Sequence, residues 1–244
     1  MNHRFPALLR LAPVLLALTL VFASCSVRQE MSLDGDGAGE ASITVELHRV
    51  LLDYLADLSG FSGGTIEVFD LAALRQRFAD EPGLTLVAAT TPRPNRLELQ
   101  LRYDDIGRVF DAQQDAVREV FAFERNGAER RLAIKLTPDA VRELLAFSPA
   151  SDTMLADILL PPADQPMKEA DYVDYLAWAL EEYQQETPIP RIIRDASIEV
   201  SIRPAGSIVG QTGGRVQGNR VVYDIRVVQL LTMQEPLEYS LTFR

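Results

Sequence analysis

Residues 27–47, VRQEMSLDGDGAGEASITVEL, determine how the chain begins to fold. Val27–Leu33 alternates apolar and polar side chains, and so does Ala41–Leu47, which is the period of a strand with one buried face. The Asp-Gly pairs between these two runs are a strong signal for a tight hairpin. The stretch therefore predicts two adjacent antiparallel strands.

Along the rest of the chain, predicted pairs of strands are separated by predicted helices. Apolar residues from Leu47 to Leu58 recur at helical spacing, and Asp70–Ala79 predicts a second short helix. Further strands are predicted at 84–91, 96–103, 119–124, 130–136, 197–203, 219–226 and 237–243. Helices are predicted at 105–117 and 139–147, the glycine-rich segment 206–218 is predicted as a hairpin loop, and 228–233 is predicted as a short turn. These expectations describe an α+β fold with a largely antiparallel sheet and helices packed on one face.

Residues 148–190 are predicted as a helical insertion, with helices at 151–160 and 169–184. The second helix contains the sequence DYVDYLAWALEEYQ, in which Val173, Leu176, Leu180 and Tyr183 form an apolar stripe. Tyr172, Tyr175 and Trp178 flank this stripe. One interpretation is a helix that only packs on the core. The other is a ligand or partner surface, since aromatic residues are enriched at interfaces.

The first 24 residues have the pattern of a signal peptide. Arg4 and Arg10 precede the apolar run 11–23, which is too short to cross a bilayer as a helix. Phe22-Ala23-Ser24-Cys25 resembles the lipobox of bacterial lipoproteins, and this resemblance implies lipidation of Cys25. The alternative is ordinary cleavage after Ala23, which leaves a free thiol. We expect a signal peptide at 1–24 and a single α+β domain at 25–244, anchored by lipid to the cell-envelope membrane.

Composition restricts the partners and the chemistry. The formal net charge of −11 disfavours nucleic acid and anionic membrane surfaces. Within residues 25–244, His48 is the only histidine and Cys25 the only cysteine, which leaves too few of the usual metal ligands. A Ser-His-Asp triad would have to include His48, and nothing resembling a nucleophile elbow accompanies it. The Asp34–Gly39 loop lacks the oxygen ligands at positions 5 and 12 of an EF-hand. We therefore predict no catalytic residues, no metal and no cofactor.

Two segments, 29–47 and 214–243, resemble the mycobacterial LppM type of lipoprotein and spirochaete relatives. In each segment, a glycine-rich turn joins two predicted strands, and the second segment ends in a terminal strand. The resemblance implies a membrane-tethered domain that binds a lipid or glycolipid. The leading hypothesis is a non-enzymatic domain for an apolar or lipid ligand, on the periplasmic or cell-surface side. The alternative is an assembly lipoprotein that binds another envelope protein.

Overall fold

The computed structural model describes residues 25–58, 68–79, 81–112, 115–146, 161 and 166–244. The predicted signal peptide and the predicted helix at 151–160 lie outside the described residues. In chain order the elements are β1 Cys25–Leu33, β2 Gly39–Leu47, α1 Arg49–Leu58, α2 Leu71–Ala79, β3 Leu84–Arg93, β4 Arg96–Tyr103, α3 Ile106–Asp111, α4 Asp115–Val120, β5 Phe121–Asn126, β6 Glu129–Leu136, α5 Pro138–Ala146, α6 Glu169–Ala179, a 3₁₀ turn Glu181–Tyr183, α7 Ile189–Asp195, β7 Ser197–Pro204, β8 Ile208–Thr212, β9 Arg215–Gln217, β10 Arg220–Arg226, α8 Val227–Thr232 and β11 Leu237–Phe243.

The described strands form two sheets. The large sheet has the order β3-β4-β2-β1-β7-β10-β9, and the small sheet has the order β5-β6-β11-β8. β1 and β7 run parallel, while the remaining described neighbours are antiparallel. The predicted α+β class with a largely antiparallel sheet is confirmed. The division into two sheets was not predicted, because it depends on pairings between distant segments.

The large sheet has one polar face and one buried face. Its outer face carries cross-strand ion pairs, among them Arg28 with Glu199 at 3.1 Å and Arg102 with Glu40 at 3.3 Å. Its inner face joins the small sheet and the helices in one hydrophobic core. Helical contributors to that core include Leu51, Tyr54, Phe110, Tyr172, Leu176, Ile193 and Val228. The charged pairs are partly exposed, so they add little stability and the buried face dominates.

The described part of the predicted helical insertion is helical and is integrated into the core. α6 buries Val173 and Leu176, and the 3₁₀ turn brings Tyr183 against α1. The Tyr183 and Tyr54 rings meet edge to face at 5.5 Å between centroids. The Tyr183 hydroxyl also donates to Asp57 at 3.0 Å. These contacts fix the end of α6 on α1.

The β1–β2 loop joins the two sheets. Asp34 Oδ1 accepts hydrogen bonds from the backbone N–H groups of Asp36 and Ala38 at 2.9 and 2.8 Å, which shape the predicted hairpin. From the small sheet, the Arg125 guanidinium donates to the Asp36 carbonyl at 2.7 Å, and the Arg130 guanidinium donates to the Gly35 carbonyl. Two loop carbonyl oxygens thus accept hydrogen bonds from arginines, and β1 and β2 form the predicted antiparallel pair.

Three local predictions were wrong. The segment 206–218 is not a loop but forms β8 and β9, which pair with β11 and β10 respectively. The predicted turn at 228–233 is the helix α8. The predicted helix at 105–117 is divided into α3 and α4, and α7 at Ile189–Asp195 was not predicted. The pairing of β8 with β11 is non-local and leaves no local signal, whereas β9 and β10 form a tight hairpin that the glycine-rich composition concealed.

We expect Gly37→Ala to destabilise the fold more than Gly127→Ala does. Gly37 has a φ of +82°, and a Cβ there would lie 2.8 Å from Asp105 Oδ1 and 2.9 Å from Arg125 Nη2. In urea unfolding, we expect the free energy of unfolding to fall by the sum of two costs. These are backbone strain of about 1–2 kcal/mol and overpacking of about 1–3 kcal/mol. Gly127→Ala is the matched control, because Gly127 has a φ of +58° and open space at its Cβ position. Equal losses in the two variants would show that the side chains around Gly37 accommodate a Cβ without cost.

Candidate ligand site

The three aromatic residues predicted to form a surface differ in their exposure to solvent. Trp178 is 73% exposed and Tyr175 is half-buried, whereas Tyr172 is 0% exposed. Tyr172 therefore does not belong to an exposed surface, and this part of the prediction is corrected. The reason is geometric: Tyr172 lies one helical turn before Leu176, so both face the core.

Trp178 and Tyr175 remain together at the end of α6. They line a shallow depression with Ala179, Glu181 and Glu182. The surface combines one large exposed ring with two carboxylates, and we call these five residues the Trp178 surface. The depression is open and does not enclose a small ligand, whereas an exposed tryptophan ring is a side chain typical of protein interfaces.

Cys25 begins β1 and pairs with Leu47 of β2. Lipidation of Cys25 is not tested by the structure and stays a prediction. A groove of about 320 Å³ lies at this end of the sheet and is lined partly by Ser26, His48 and Asn95. Asn95 donates its side-chain N–H to the Leu47 carbonyl at 2.9 Å, so this polar group already has an internal partner.

His48 has a structural position in this groove. Its Nδ1 accepts a hydrogen bond from the Val50 N–H at 3.3 Å, which caps the start of α1. Burial lowers the pKa of His48 below its ordinary value, because desolvation disfavours the imidazolium. The neutral ring is the form that can accept this bond. The geometry thus gives His48 a capping role, whereas the absence of enzymatic activity remains a prediction.

A second cavity lies between the two sheets. Its volume is about 30 Å³. The large sheet supplies Gln29 and Met31 from β1 with further residues from β7 and β10, and the opposite wall comes from the small sheet and α3. The other lining residues are Phe110, Phe121, Leu132, Ile134, Leu136, Ile198, Val200, Ile202 and Ile225. We call this space the inter-sheet cavity.

Gln29 is the one polar residue in the described lining of the inter-sheet cavity. Its side chain is 2% exposed. Its Nε2 lies 3.8 Å from the thioether sulfur of Met31, which is a weak acceptor. The sequence contained a signal for this residue, because Gln29 occupies the apolar phase of the alternating run Val27–Leu33. We did not single it out, since its phase alone does not reveal what faces the strand.

The small sheet is fastened to the large sheet on either side of this cavity. On one side, Arg125 and Arg130 hold the β1–β2 loop. On the other, the Tyr223 hydroxyl of β10 donates to the Ser240 carbonyl of β11 at 2.7 Å. Burial raises the pKa of Tyr223, so the phenol keeps the proton that this bond needs. Apolar side chains fill the space between these two attachments.

The described residues contain no cluster of His, Cys, Asp or Glu that could hold a metal ion. No helix in the described ranges is both long enough and apolar enough to cross a membrane.

Comparison with known proteins gives one structural similarity. No protein family and no curated protein matches this chain. Among solved structures, the chain is similar to the NMR structure of the folded domain of the LppM protein of Mycobacterium tuberculosis. The TM-score is 0.40, the sequence identity is 9%, and 91% of each chain is covered.

Proposed function

We propose that the domain binds an apolar ligand with a lipid-like chain between its two sheets, while Cys25 tethers it to the envelope membrane. The observation that supports this proposal is the inter-sheet cavity, whose described wall has ten apolar residues and Gln29. Ligand pockets are typically apolar with a few placed polar groups. Transfer of a chain into such a wall is favourable by about 0.8 kcal/mol per CH₂.

The size of the cavity sets a condition on this function. A volume of about 30 Å³ holds one small group, so a long chain requires the facing side chains to separate. The two sheets are separate hydrogen-bonded units, with no ladder joining their described strands. Separation between the attachments therefore breaks apolar contacts and leaves the strand ladders intact. Met31 and the phenylalanine rings of the wall are side chains that can adopt other rotamers at modest cost.

The lipid anchor would supply the membrane attachment that the charge of the domain does not. The formal net charge of −11 gives no attraction to anionic lipid headgroups. An acylated Cys25 supplies that attachment by hydrophobic transfer of more than one chain. Because Cys25 is the first residue of the central strand, the tether joins the ligand-binding sheet with no described linker between them. The tether would keep the domain within reach of lipid.

We expect residues 25–244 with Cys25→Ser to co-purify with an apolar small molecule. The described core lies within this segment, so it can be produced without the leader. Native mass spectrometry should detect the ligand, and Val200→Phe should remove it because Val200 lines the cavity. Val87→Phe is the control, since Val87 is 51% exposed.

Thermal melting of both phenylalanine variants checks that they fold. A domain that carries no apolar ligand and takes up none from mixed lipid vesicles contradicts the proposal. Equal retention of ligand in the folded Val200→Phe variant contradicts the site.

A second candidate function is assembly with another envelope protein. The exposure of Trp178 favours it, since tryptophan is common among residues that dominate binding energy. Glu181 and Glu182 beside the ring would suit a partner with basic residues at its rim. In this function the domain would be held by Cys25 at the membrane and would present the Trp178 surface outward.

We expect cross-linking in intact envelopes to capture a specific partner that is lost in Trp178→Ala and Tyr175→Ala. Trp178→Ala should leave the melting temperature unchanged because the ring is exposed, whereas loss of capture should be large. Leu176→Ala is a stability reference, because Leu176 is buried and its truncation costs about 2–5 kcal/mol. An unchanged cross-linking pattern in both aromatic variants would rule out this surface.

A further inference from the structure

We infer that Gln29 is the polar anchor of the inter-sheet cavity and selects ligands whose polar end is uncharged. This inference rests on the proposed function and specifies its ligand class. The ligand is an apolar chain that ends in a hydroxyl, ester or amide group, and this group forms a hydrogen bond with the Gln29 amide.

Gln29 lies at the centre of the large sheet in two directions. It is the middle residue of β1, and β1 is the middle strand of seven. Its neighbours across the inner face are Ile43 on one side and Val200 on the other. The same row continues outward through Leu99 and Tyr223. An apolar side chain would pack at this position without difficulty, so packing alone does not account for an amide here.

The hydrogen-bonding capacity of this amide is mostly unused within the described part of the chain. The amide N–H contacts the Met31 sulfur at 3.8 Å, and no described donor reaches the Gln29 Oε1 atom. Burying an amide in this condition is unfavourable, and most buried polar groups avoid it. A ligand group that accepts from Nε2 and donates to Oε1 would satisfy the side chain inside the cavity.

The charge of the wall determines what this group can be. No Asp, Glu, Lys, Arg or His is among the lining residues that the structure describes. A carboxylate or phosphate placed here would lose its hydration without gaining a counter-charge, which is strongly unfavourable. A neutral hydroxyl matches both sides of the amide, and an ester or amide carbonyl matches its N–H groups.

The test uses residues 25–244 with Cys25→Ser, titrated in a calorimeter with 1-decanol and, separately, with decanoate at pH 8. Both probes carry the same number of carbons, and only decanoate is charged. The variants are Gln29→Met, which keeps the volume and removes the amide, and Gln100→Met. Gln100 lies exposed on β4, so it controls for the chemical change alone.

We expect the parent domain to bind 1-decanol at least tenfold more tightly than decanoate. Gln29→Met should weaken 1-decanol binding roughly two- to tenfold, the range expected for one lost neutral hydrogen bond, and Gln100→Met should leave it unchanged. Gln29→Met should also keep or raise the melting temperature, because it removes a buried amide with few partners. That combination separates ligand anchoring from a role in folding.

Three results overturn the inference. Binding of 1-decanol that is unchanged in Gln29→Met would mean that the amide serves only a buried water or the packing. Decanoate binding as tightly as 1-decanol would refute selection for an uncharged end. If neither probe binds the parent domain, the proposed function fails together with the inference. In the first two cases the proposed function stands and only the role of Gln29 is lost.

Discussion

The parallel pairing of β1 with β7 is the constraint on which the rest of the structure depends. β1 starts at Cys25 and β7 starts at Ser197, so this pairing joins segments about 170 positions apart in the chain. It makes β1 the central strand, hydrogen-bonded to β2 on its other edge. The helices and the small sheet then cover a single inner face, since the outer face carries charged pairs. Loss of this pairing would divide the large sheet into two open-edged halves, which is an aggregation hazard.

The same arrangement creates the site. β1 presents Gln29 and Met31 to the inner face, and the small sheet closes over them. The attachments between the sheets are polar and lie on either side of the cavity, at the arginine-held β1–β2 loop and at the Tyr223–Ser240 hydrogen bond. Apart from Gln29, the described side chains that line the space between them are apolar, and apolar packing is less directional than hydrogen bonding. The short connections 205–207 and 213–214 also link the two sheets, so the proposed separation concerns only the apolar side chains that face each other across the cavity.

Local signals in the sequence predicted much of the fold. The alternation in Val27–Leu33, the Asp-Gly turn and the short helix at Asp70–Ala79 each depend on near neighbours, and the structure confirms them. The pairing of β8 with β11 depends on residues about 30 positions apart in a glycine-rich segment, so 206–218 was taken for a loop. The division into two sheets escaped prediction for the same reason.

The candidate site was harder to predict than the fold. Helical periodicity placed Trp178 and Tyr172 together beside the apolar stripe, but it could not tell how wide the buried face of α6 is. The structure buries Tyr172 completely and exposes Trp178. Gln29 was visible as a polar residue in an apolar phase, yet its meaning depends on the small sheet that faces it. A site formed between two sheets can be recognised only after their order is known.

The most direct test of the central claim is NMR of the Cys25→Ser domain, with ¹³C-labelled methionine methyl groups and a titrated apolar ligand. Met31 lies in the inter-sheet cavity, whereas Met233 lies at the end of α8. Met31→Leu assigns the first signal. Our account predicts that the ligand shifts the Met31 methyl resonance and shows nuclear Overhauser contacts between that methyl and the protons of its chain, with Met233 unaffected. A ligand that binds and leaves the Met31 signal unchanged would contradict a site between the sheets.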